Sequence, residues 1–421
     1  MNNKTNDPSR LSWVNVFEDA DFPIQNIPFG IYKSGAEYHV CSAIGDQLID
    51  LVALFDLNYF NNISISREIL NTRYLNEFIS LGKNITNQVR DRIGDILDSK
   101  DEHNAKSKAS QFLQPLSGVE MFLAIRIGDY TDFYSSREHA TNVGTMFRDP
   151  ANALLPNWLH LPVAYHGRAS SIIISDIPVT RPKGQQQPGE GQAPVFGPTN
   201  QLDFELEMAF VVGKANNLGE PVSIIEAESH IFGLSLFNDW SARDIQKWEY
   251  VPLGPFLAKN FASTISPWII TMEALEPFRT PGPKQETEVL PYLQFEGDKN
   301  YDINLEVYIK PESGTPTKVS KSNFKYMYWN MAQQLAHHTV NGCNLQVADV
   351  CASGTISGPT PDSYGSMLEI AWKGTKPVIM EDDTSRSFIL DGDTVIMKAY
   401  AEKDGVRIGF GNCNCKILPA N

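Results

Sequence analysis

The stretch from residue 128 to residue 148 constrains the fold and function of this chain more than any other. It gathers aspartates, aromatic residues, a histidine and two arginines between apolar runs that are typical of a protein core. Ser135 and Glu138 have the spacing of a capping box, which predicts a helix from about Ser135 to Gly144. His139 would lie in the first turn, where the helix dipole favours a neutral imidazole that can act as a base.

An acid and a phenol come just before this helix. Asp132 and Tyr134 are two residues apart on an extended run, so their side chains would point the same way. Together with His139 they would converge where a strand meets a helix. A turn with a partly buried histidine explains each residue alone, whereas the whole set predicts a site.

Composition narrows the class of protein. A chain of 421 residues with 42% hydrophobic residues is long enough for two domains and a substantial core. The net charge of -15 argues against general binding to nucleic acid. No apolar run approaches the roughly 18 residues of a membrane span. The five cysteines form no disulfide framework, which predicts reduced thiols and a cytoplasmic protein.

The pattern of apolar residues divides the chain near residue 120. Residues 1–120 predict a separate module of short strands with one amphipathic helix over 85–97. The polar segments 98–110 and 115–118 that follow predict a linker. Residues 121–421 read as mostly β. The segments 181–199 and 276–289 are rich in proline and predict long loops, and the sequence leaves open whether they close over a substrate.

A second signal is the acidic strand over residues 202–212. Asp203, Glu205 and Glu207 would share one face of that strand, and the run then becomes wholly apolar. Neighbouring carboxylates repel one another, and they are costly beside a buried segment unless a cation binds between them. A solvated edge is the simpler alternative, but the apolar continuation favours a metal site.

A third signal lies between residues 237 and 250. Asp239, Arg243, Gln246 and Tyr250 fall at i, i+4, i+7 and i+11, which predicts one helical face with an acid, a base, an amide and a phenol. Lys259 follows among apolar neighbours, and taken alone it is more typical of a lysine that extends to the surface.

Two later features complete the candidate set. The glycine-flanked segment 353–358 offers hydroxyl and N–H groups that could hold a substrate oxygen, although alone it is only a turn. Glu369 lies among apolar residues, where a carboxylate without a partner would be costly. A partner such as His139 would remove that cost.

Taken together, four segments resemble the fumarylacetoacetate hydrolase family: 128–144, 205–207, 238–246 and 353–358. Their order and spacing match the family over nearly the whole chain. The resemblance implies a mostly β (α+β) fold, with a small N-terminal SH3-like β-barrel module (1–120) followed by a mixed β-roll catalytic domain (121–421). It also implies a homodimer.

The resemblance assigns a divalent cation, Ca²⁺ or Mg²⁺, to oxygen ligands of the kind that hard cations prefer. The residues at the family's metal positions are Asp132, Glu205, Glu207 and Asp239, with Lys259 and Ser263 at a second cation position.

The resemblance also implies catalytic and substrate-binding roles. His139 falls on the base and Glu369 on the acid that orients it, while Arg243, Gln246 and Lys259 fall on groups that stabilise developing negative charge. The positions that match substrate contacts are Tyr134, Arg148, Gln246, Tyr250 and Thr355.

The implied reaction is metal-dependent hydrolysis of a carbon–carbon bond in a small diketo diacid, 4-fumarylacetoacetate, to fumarate and acetoacetate. This is the final step of tyrosine and phenylalanine catabolism. Two alternatives stay open: hydrolysis of an acylpyruvate or decarboxylation of a keto acid at the same metal, and a calcium-binding module without catalysis. Glycoside hydrolysis is excluded, because alternate residues of one strand lie too close to flank a sugar bond.

Overall fold

The computed structural model describes residues 4–421, and its first part is built around a small antiparallel sheet. Its five strands, numbered in chain order, lie side by side as β4-β3-β2-β1-β5. Its strands are β1 (Gly30–Ser34), β2 (Glu37–Ile44), β3 (Gln47–Asp50), β4 (Leu113–Pro115) and β5 (Met121–Phe122). The helices between β3 and β4 are α1 (Leu51–Asp56), α2 (Arg67–Leu70), α3 (Asn76–Ser80) and α4 (Lys83–Leu97).

Local sequence explains the longest of these helices. Helix α4 buries Val89, Ile93, Ile96 and Leu97 on one face, which confirms the predicted amphipathic helix. The segments 98–110 and 115–118 do not link two modules, because the first precedes β4 and the second begins at its last residue, while β4 pairs with β3 in the same sheet that contains β5.

The rest of the chain forms two larger sheets and several two-stranded ones. The strands up to residue 271 are β6 (Tyr130–Phe133), β7 (Ala164–His166), β8 (Ile172–Ile174), β9 (Val179–Thr180), β10 (Lys183–Gln186), β11 (Val195–Pro198), β12 (Leu202–Asp203), β13 (Leu206–Val212), β14 (Ile231–Asp239), β15 (Ser241–Ala242), β16 (Ser263–Ile265) and β17 (Ile270–Thr271). The later strands are β18 (Arg279–Thr280), β19 (Asn300–Tyr301), β20 (Asn304–Lys310), β21 (Thr317–Asn323), β22 (Val350–Ala352), β23 (Val378–Ile379), β24 (Ser385–Arg386), β25 (Thr394–Lys403) and β26 (Val406–Leu418).

Helices connect these strands. They are α5 (Arg137–Phe147), α6 (Arg243–Glu249), α7 (Met272–Leu275), α8 (Met331–Thr339) and α9 (Met367–Ile370). One sheet has the order β7-β6-β22-β13-β14-β16-β8, with β17 also paired to β14, and a second has the order β21-β20-β25-β26-β9. The mostly β fold, with a small N-terminal sheet followed by a larger mixed β region, is confirmed.

The eight-stranded sheet is buried on both faces. Met208 and Phe210 of β13 pack into the core that also contains β20, β25 and β26. Ala209 and Val211, on the opposite face, pack into the core that contains β1, β2 and α4. Because strand side chains alternate, a continuous apolar run is what such a doubly covered strand requires.

The two segments predicted to be long loops, 181–199 and 276–289, differ from each other in the structure. The segment 181–199 is not a long loop, because β10 and β11 pair within it as an antiparallel hairpin. The segment 276–289 contains a short 3-10 helix and β18, and the remainder lacks regular structure. Within residues 4–421, no helix is both long and apolar enough to cross a membrane.

Candidate active site

Four acids meet where three strands of the eight-stranded sheet end. Asp132 is on β6, Glu207 on β13 and Asp239 at the end of β14, while Glu205 immediately precedes β13. One carboxylate oxygen from each lies within 4.8 Å of the others, and all four residues are buried. We call these residues the acidic cluster. The cation site predicted from the strand pattern therefore has a geometric counterpart.

Burial and mutual repulsion disfavour charge in the acidic cluster. The pKa of Asp132 is raised well above its usual range by burial and by the charge of Asp239. The pKa of Glu207 is likewise raised by burial and by the charges of Asp132 and Asp239. Carboxylates arranged in this way ionise readily only when positive charge lies between them.

One lysine supplies part of that positive charge. Lys259 Nζ donates to Glu205 Oε2 at 2.5 Å and to Asp239 Oδ2 at 2.7 Å. Burial opposes ionisation of Glu205, but the charges of Lys259 and Arg243 outweigh it and lower the pKa of that carboxyl. Ser263 donates to Asp239 Oδ1 at 2.8 Å. Lys259 is thus buried in ion pairs and does not extend to the surface.

The remaining carboxylate oxygens indicate what the acidic cluster lacks. Among residues 4–421, the buried Asp132 Oδ1 and Glu207 Oε1 have no hydrogen-bond partner. Buried anionic oxygens without partners are costly, and a hard divalent cation with oxygen ligands would satisfy both. The donor set of this site therefore fits the cation that the resemblance implies.

His139 lies in the first turn of α5 and contacts a buried acid. Its Nδ1 is 2.7 Å from Glu369 Oε2. The cap differs from the prediction, because Ser136 accepts the His139 N–H, at 3.3 Å, while Ser135 accepts from Gln334. The helix also continues to Phe147 and does not end at the glycine predicted to stop it.

That glycine, Gly144, has a packing role inside α5. A Cβ at Gly144 would lie 2.0 Å from the backbone oxygen of Ala153, so no larger residue fits without a shift of the backbone. Gly144 allows α5 to approach the backbone at Ala153 closely, so its small size reflects packing and does not mark the end of the helix.

Glu369 is held by more partners than the sequence indicated. Asn142 Nδ2 donates to its Oε1 at 2.9 Å, and the hydroxyls of Ser357 and Ser366 are each 2.9 Å from its oxygens. Burial opposes ionisation, but the charge of His139 and these hydrogen bonds lower the pKa of Glu369. The sequence reasoning missed Asn142, Ser357 and Ser366, whose only signal was that a buried carboxylate needs donors.

The third group is centred on Arg243, the first residue of α6. Arg243 Nη1 is 2.7 Å from Glu205 Oε1 and 3.2 Å from Gln246 Oε1. Within the described residues, the buried Nη2 has no hydrogen-bond partner. This N–H group is therefore available to an anionic ligand.

The helical face predicted from Asp239 to Tyr250 is wrong. Asp239 belongs to β14, and β15 separates it from α6, whose N-cap is Ala242. Tyr250 is the C-cap residue and is 52% exposed. A strand end and a helix start, rather than one helix, bring Asp239 and Arg243 to the same site, because both contact Glu205 or its partner Lys259.

The glycine-flanked segment 353–358 follows β22, between β6 and β13. Gly354 has a φ of +77°, and a Cβ there would lie 2.2 Å from the backbone oxygen of Phe133. This conformation lets the Gly354 N–H donate to Glu207 Oε2 at 3.0 Å. The neighbouring Thr355 is buried, and its hydroxyl has no partner among residues 4–421.

The structure separates the predicted substrate contacts into two groups. The Tyr134 ring lies 5.3 Å from the His139 ring. Burial, together with the charges of Glu369 and Glu205, raises the pKa of the Tyr134 phenol. Thr355 follows Gly354, whose N–H donates to Glu207 of the acidic cluster. By contrast, Tyr250 is at the surface and Arg148, also exposed, donates to the backbone oxygen of Ala153.

Comparison with known proteins agrees with this site. Residues 25–124 match the family model described as fumarylacetoacetase N-terminal, and residues 129–418 match fumarylacetoacetate (FAA) hydrolase C-terminal. The fumarylacetoacetase of Dictyostelium discoideum is 53% identical over 97% of this chain and 98% of its own. The Homo sapiens enzyme is 51% identical, covering 97% and 99%.

A solved structure shares the fold at much lower identity. The fumarylacetoacetate hydrolase of Exiguobacterium antarcticum superposes with a TM-score of 0.52 and 16% identity, covering 94% of this chain and all of that one. The two family models together span most of the sequence, in the order in which the structure places the small sheet and the large one. The chain belongs to the fumarylacetoacetate hydrolase family.

Proposed function

We propose that this chain hydrolyses the carbon–carbon bond of 4-fumarylacetoacetate to fumarate and acetoacetate, the final step of tyrosine and phenylalanine catabolism. Relatives with about half of their residues identical carry the name of that activity. The observation that carries the proposal is a single site. Its acidic cluster has two oxygens without partners among residues 4–421, and a bridge between Glu205 and Ser366 joins it to the helix that carries Glu369 of the His139–Glu369 pair. A calcium-binding module without catalysis would need only the first half of this site.

The acidic cluster is the place for the divalent cation. Asp132, Glu205, Glu207 and Asp239 would hold it, and Ca²⁺ and Mg²⁺ are the ions that such oxygen donors suit. When bound, the cation polarises a substrate carbonyl as a Lewis acid. A second cation near Lys259 and Ser263 stays a prediction, since the protonated Lys259 acts here as a donor to two carboxylates.

His139 is the candidate base. Donation from Nδ1 to Glu369 fixes the tautomer and leaves Nε2 to accept a proton from water, which then attacks the substrate carbonyl. Glu369 stays anionic because its own donors stabilise its charge. It therefore also stabilises the imidazolium that forms after proton transfer.

The cationic and amide groups suit the second half of the reaction. Cleavage of a carbon–carbon bond leaves a carbanion that must delocalise as an enolate. Arg243 can donate to it through Nη2, with Lys259 as a nearby positive charge and the amide nitrogen of Gln246 as a further donor. These groups act best where charge appears only as the bond breaks.

Substrate contacts follow from position and chemistry. Tyr134 and Thr355 lie beside the base and the acidic cluster, where a phenol and a hydroxyl can donate to substrate oxygens. Gln246 adds its amide. Arg148 and Tyr250 are exposed, and they would contact a substrate carboxylate only if substrate extends to the surface or their segments move.

The remaining features of the proposal concern organisation and setting. We infer a division near residue 120 into an N-terminal SH3-like module and a catalytic β-roll domain, a cytoplasmic homodimer, and no nucleic-acid or membrane partner. The family match, the two consecutive family models and the acidic net charge support this picture. Sedimentation at several protein concentrations would test the homodimer.

Steady-state kinetics test the proposed function directly. We expect hydrolysis of 4-fumarylacetoacetate with a kcat/KM well above that for an acylpyruvate, and loss of activity when a chelator removes divalent ions. Recovery after addition of Ca²⁺ or Mg²⁺ identifies the ions that serve. Preference for the acylpyruvate, or full activity in chelator, would contradict the proposal.

A further inference from the structure

Asp203 is a buried acid that the reaction described above does not use. The strand pattern places it on the same face as Glu205 and Glu207, yet the four-residue acidic cluster does not include it. Both of its oxygens are already occupied. Oδ2 accepts Arg243 Nε at 2.8 Å and the Leu368 N–H at 3.0 Å, while Oδ1 accepts the Met367 N–H at 2.7 Å.

These contacts join two parts of the site. Met367 and Leu368 begin α9, the short helix that carries Glu369. The N-cap residue of α9, Ser366, makes no side-chain capping hydrogen bond to a helix N–H group. Asp203, on β12, accepts hydrogen bonds from the first helix N–H groups instead. On its other side Asp203 fixes the guanidinium of Arg243.

We propose that Asp203 is a positioning residue that fixes the orientation of the Arg243 guanidinium, with the N-terminus of α9 as its anchor. The inference rests on the proposed function of Arg243. A guanidinium is planar, so a bond at Nε together with the bond from Nη1 to Glu205 sets the direction of Nη2. Nη2 is the donor that lacks a partner within the described residues.

The backbone supports the same role. Asp203 on β12 pairs with Ser241 on β15, and the Arg243 N–H donates to the backbone oxygen of Gln201 at 2.9 Å. The backbone of Arg243 is therefore fixed, and its remaining conformational freedom is in the side chain. Asp203 removes that freedom at Nε.

The test is Asp203→Asn, because asparagine is uncharged and has one acceptor oxygen, so it cannot accept from Arg243, Leu368 and Met367 together. We expect kcat for 4-fumarylacetoacetate to fall about 100-fold, as misplacement of a reacting group costs. KM and calcium affinity should change less than about threefold, because Asp203 lies outside the acidic cluster and its oxygens are occupied by Arg243 and α9. Unchanged kcat in a folded variant would overturn the inference.

A matched control is Asp393→Asn. Asp393 is also buried, pairs with Arg386 through Nε and Nη2 at 2.8 and 2.9 Å, and accepts the Leu390 N–H at 2.9 Å. None of those partners is a candidate site residue. A comparable loss of stability with an unchanged kcat is expected for Asp393→Asn. An equal loss of kcat in both variants would show a structural role only and would overturn the inference.

A double-mutant cycle tests action through Arg243. In an Arg243→Lys background, Asp203→Asn should lower kcat further by less than about threefold, since the group it positions is already lost. Multiplicative losses would contradict the inference. If Asp203→Asn does not fold, Asp203→Glu, which keeps the charge but shifts it by a methylene, carries the same test, and wild-type kcat in that variant would count against the inference.

Failure of the proposed function is distinguishable in the same series. If wild-type protein does not hydrolyse 4-fumarylacetoacetate, the proposed function is wrong, and the cycle is then measured on the equilibrium constant of unfolding. A coupling of at least tenfold between Asp203→Asn and Arg243→Lys would support the pairing. Additive effects would overturn it.

Discussion

The site contains two buried carboxylate environments, the acidic cluster and Glu369, whose oxygens are satisfied to opposite degrees. In the acidic cluster, Asp132 and Glu207 keep oxygens without partners among the described residues, and burial with mutual repulsion raises their pKa values. Glu369 receives donors from His139, Asn142 and two serines, and its pKa is lowered. The first arrangement requires an added positive charge, whereas the second is complete without one.

This difference assigns the two groups to different tasks. A buried site whose carboxylate oxygens lack partners favours binding of a positively charged ligand. A buried carboxylate with all of its hydrogen bonds made holds its neighbouring side chain in a fixed orientation. We therefore expect changes in the acidic cluster to affect cation binding and catalysis together. Changes at the His139–Glu369 pair should affect catalysis while cation binding persists.

The largest effect is expected for Glu207→Gln. Loss of an anionic ligand weakens a hard cation, and the Lewis-acid contribution of several kcal/mol corresponds to about a thousandfold or more in hydrolysis. Calorimetric titration with Ca²⁺ and Mg²⁺ should show the weaker binding. Glu306→Gln, at a buried acid paired with Lys318 at 2.7 Å, is the control. Normal cation affinity in Glu207→Gln would remove this residue from the ligand set.

The next largest effect is expected for His139→Asn. Loss of the base should lower kcat by roughly 10²–10⁴ while Ca²⁺ affinity stays near the wild-type value. His230→Asn is the matched control, since that histidine is buried but its Nδ1 contacts the backbone oxygen of Lys214. Near-normal kcat in His139→Asn would show that another group activates water.

A smaller effect is expected for Gln246→Ala. If Gln246 acts on charge that appears as the bond breaks, kcat and kcat/KM should fall together, by roughly 10²–10³ at most. Gln25→Ala, in the N-terminal region, should leave both unchanged, because its amide donates to the backbone oxygens of Asp7 and Arg10. A raised KM with normal kcat would instead identify Gln246 as a ground-state contact.

Sequence reasoning succeeded where the signal was local. The apolar face of α4 and the continuous apolar run of β13 were readable because they follow a helix or strand period. The need of Glu369 for a partner was also readable, because a carboxylate among apolar residues is costly, and His139 is that partner at 2.7 Å. The two residues are nevertheless far apart in the chain.

The failures have a shared physical cause, since they depend on contacts between distant segments. Asp239 and Arg243 have helical spacing, but pairing of β14 with β16, which sets Asp239 opposite Ser263, holds Asp239 in a strand. Gly144 looked like a helix end, although it marks a close approach to Ala153. Asn142 and Ser357 have no local pattern, because what selects them is the carboxylate they meet.

A modest pH effect would sharpen the comparison. The pKa of Glu207 is raised from its ordinary value of 4.5, so without cation the folded state holds protons that the unfolded state releases. In chelator, the contribution of Glu207 to the free energy of unfolding should therefore fall as pH rises above about 4.5. The rise in Tm on addition of Ca²⁺ should grow over the same range, because binding requires ionised carboxylates. A calcium effect independent of pH between about 5 and 8 would contradict this.

The most direct test of the central claim is the free energy of unfolding in urea, measured in chelator and then with Ca²⁺ or Mg²⁺. In chelator, Glu207→Gln should be at least as stable as wild type, because it removes repulsion and keeps an acceptor for the Gly354 N–H. It should also lose the stabilisation that the cation gives wild type. Glu369→Gln should lose about 3 kcal/mol in chelator and keep the cation effect. Similar losses in both variants, with the cation effect intact in Glu207→Gln, would contradict the account.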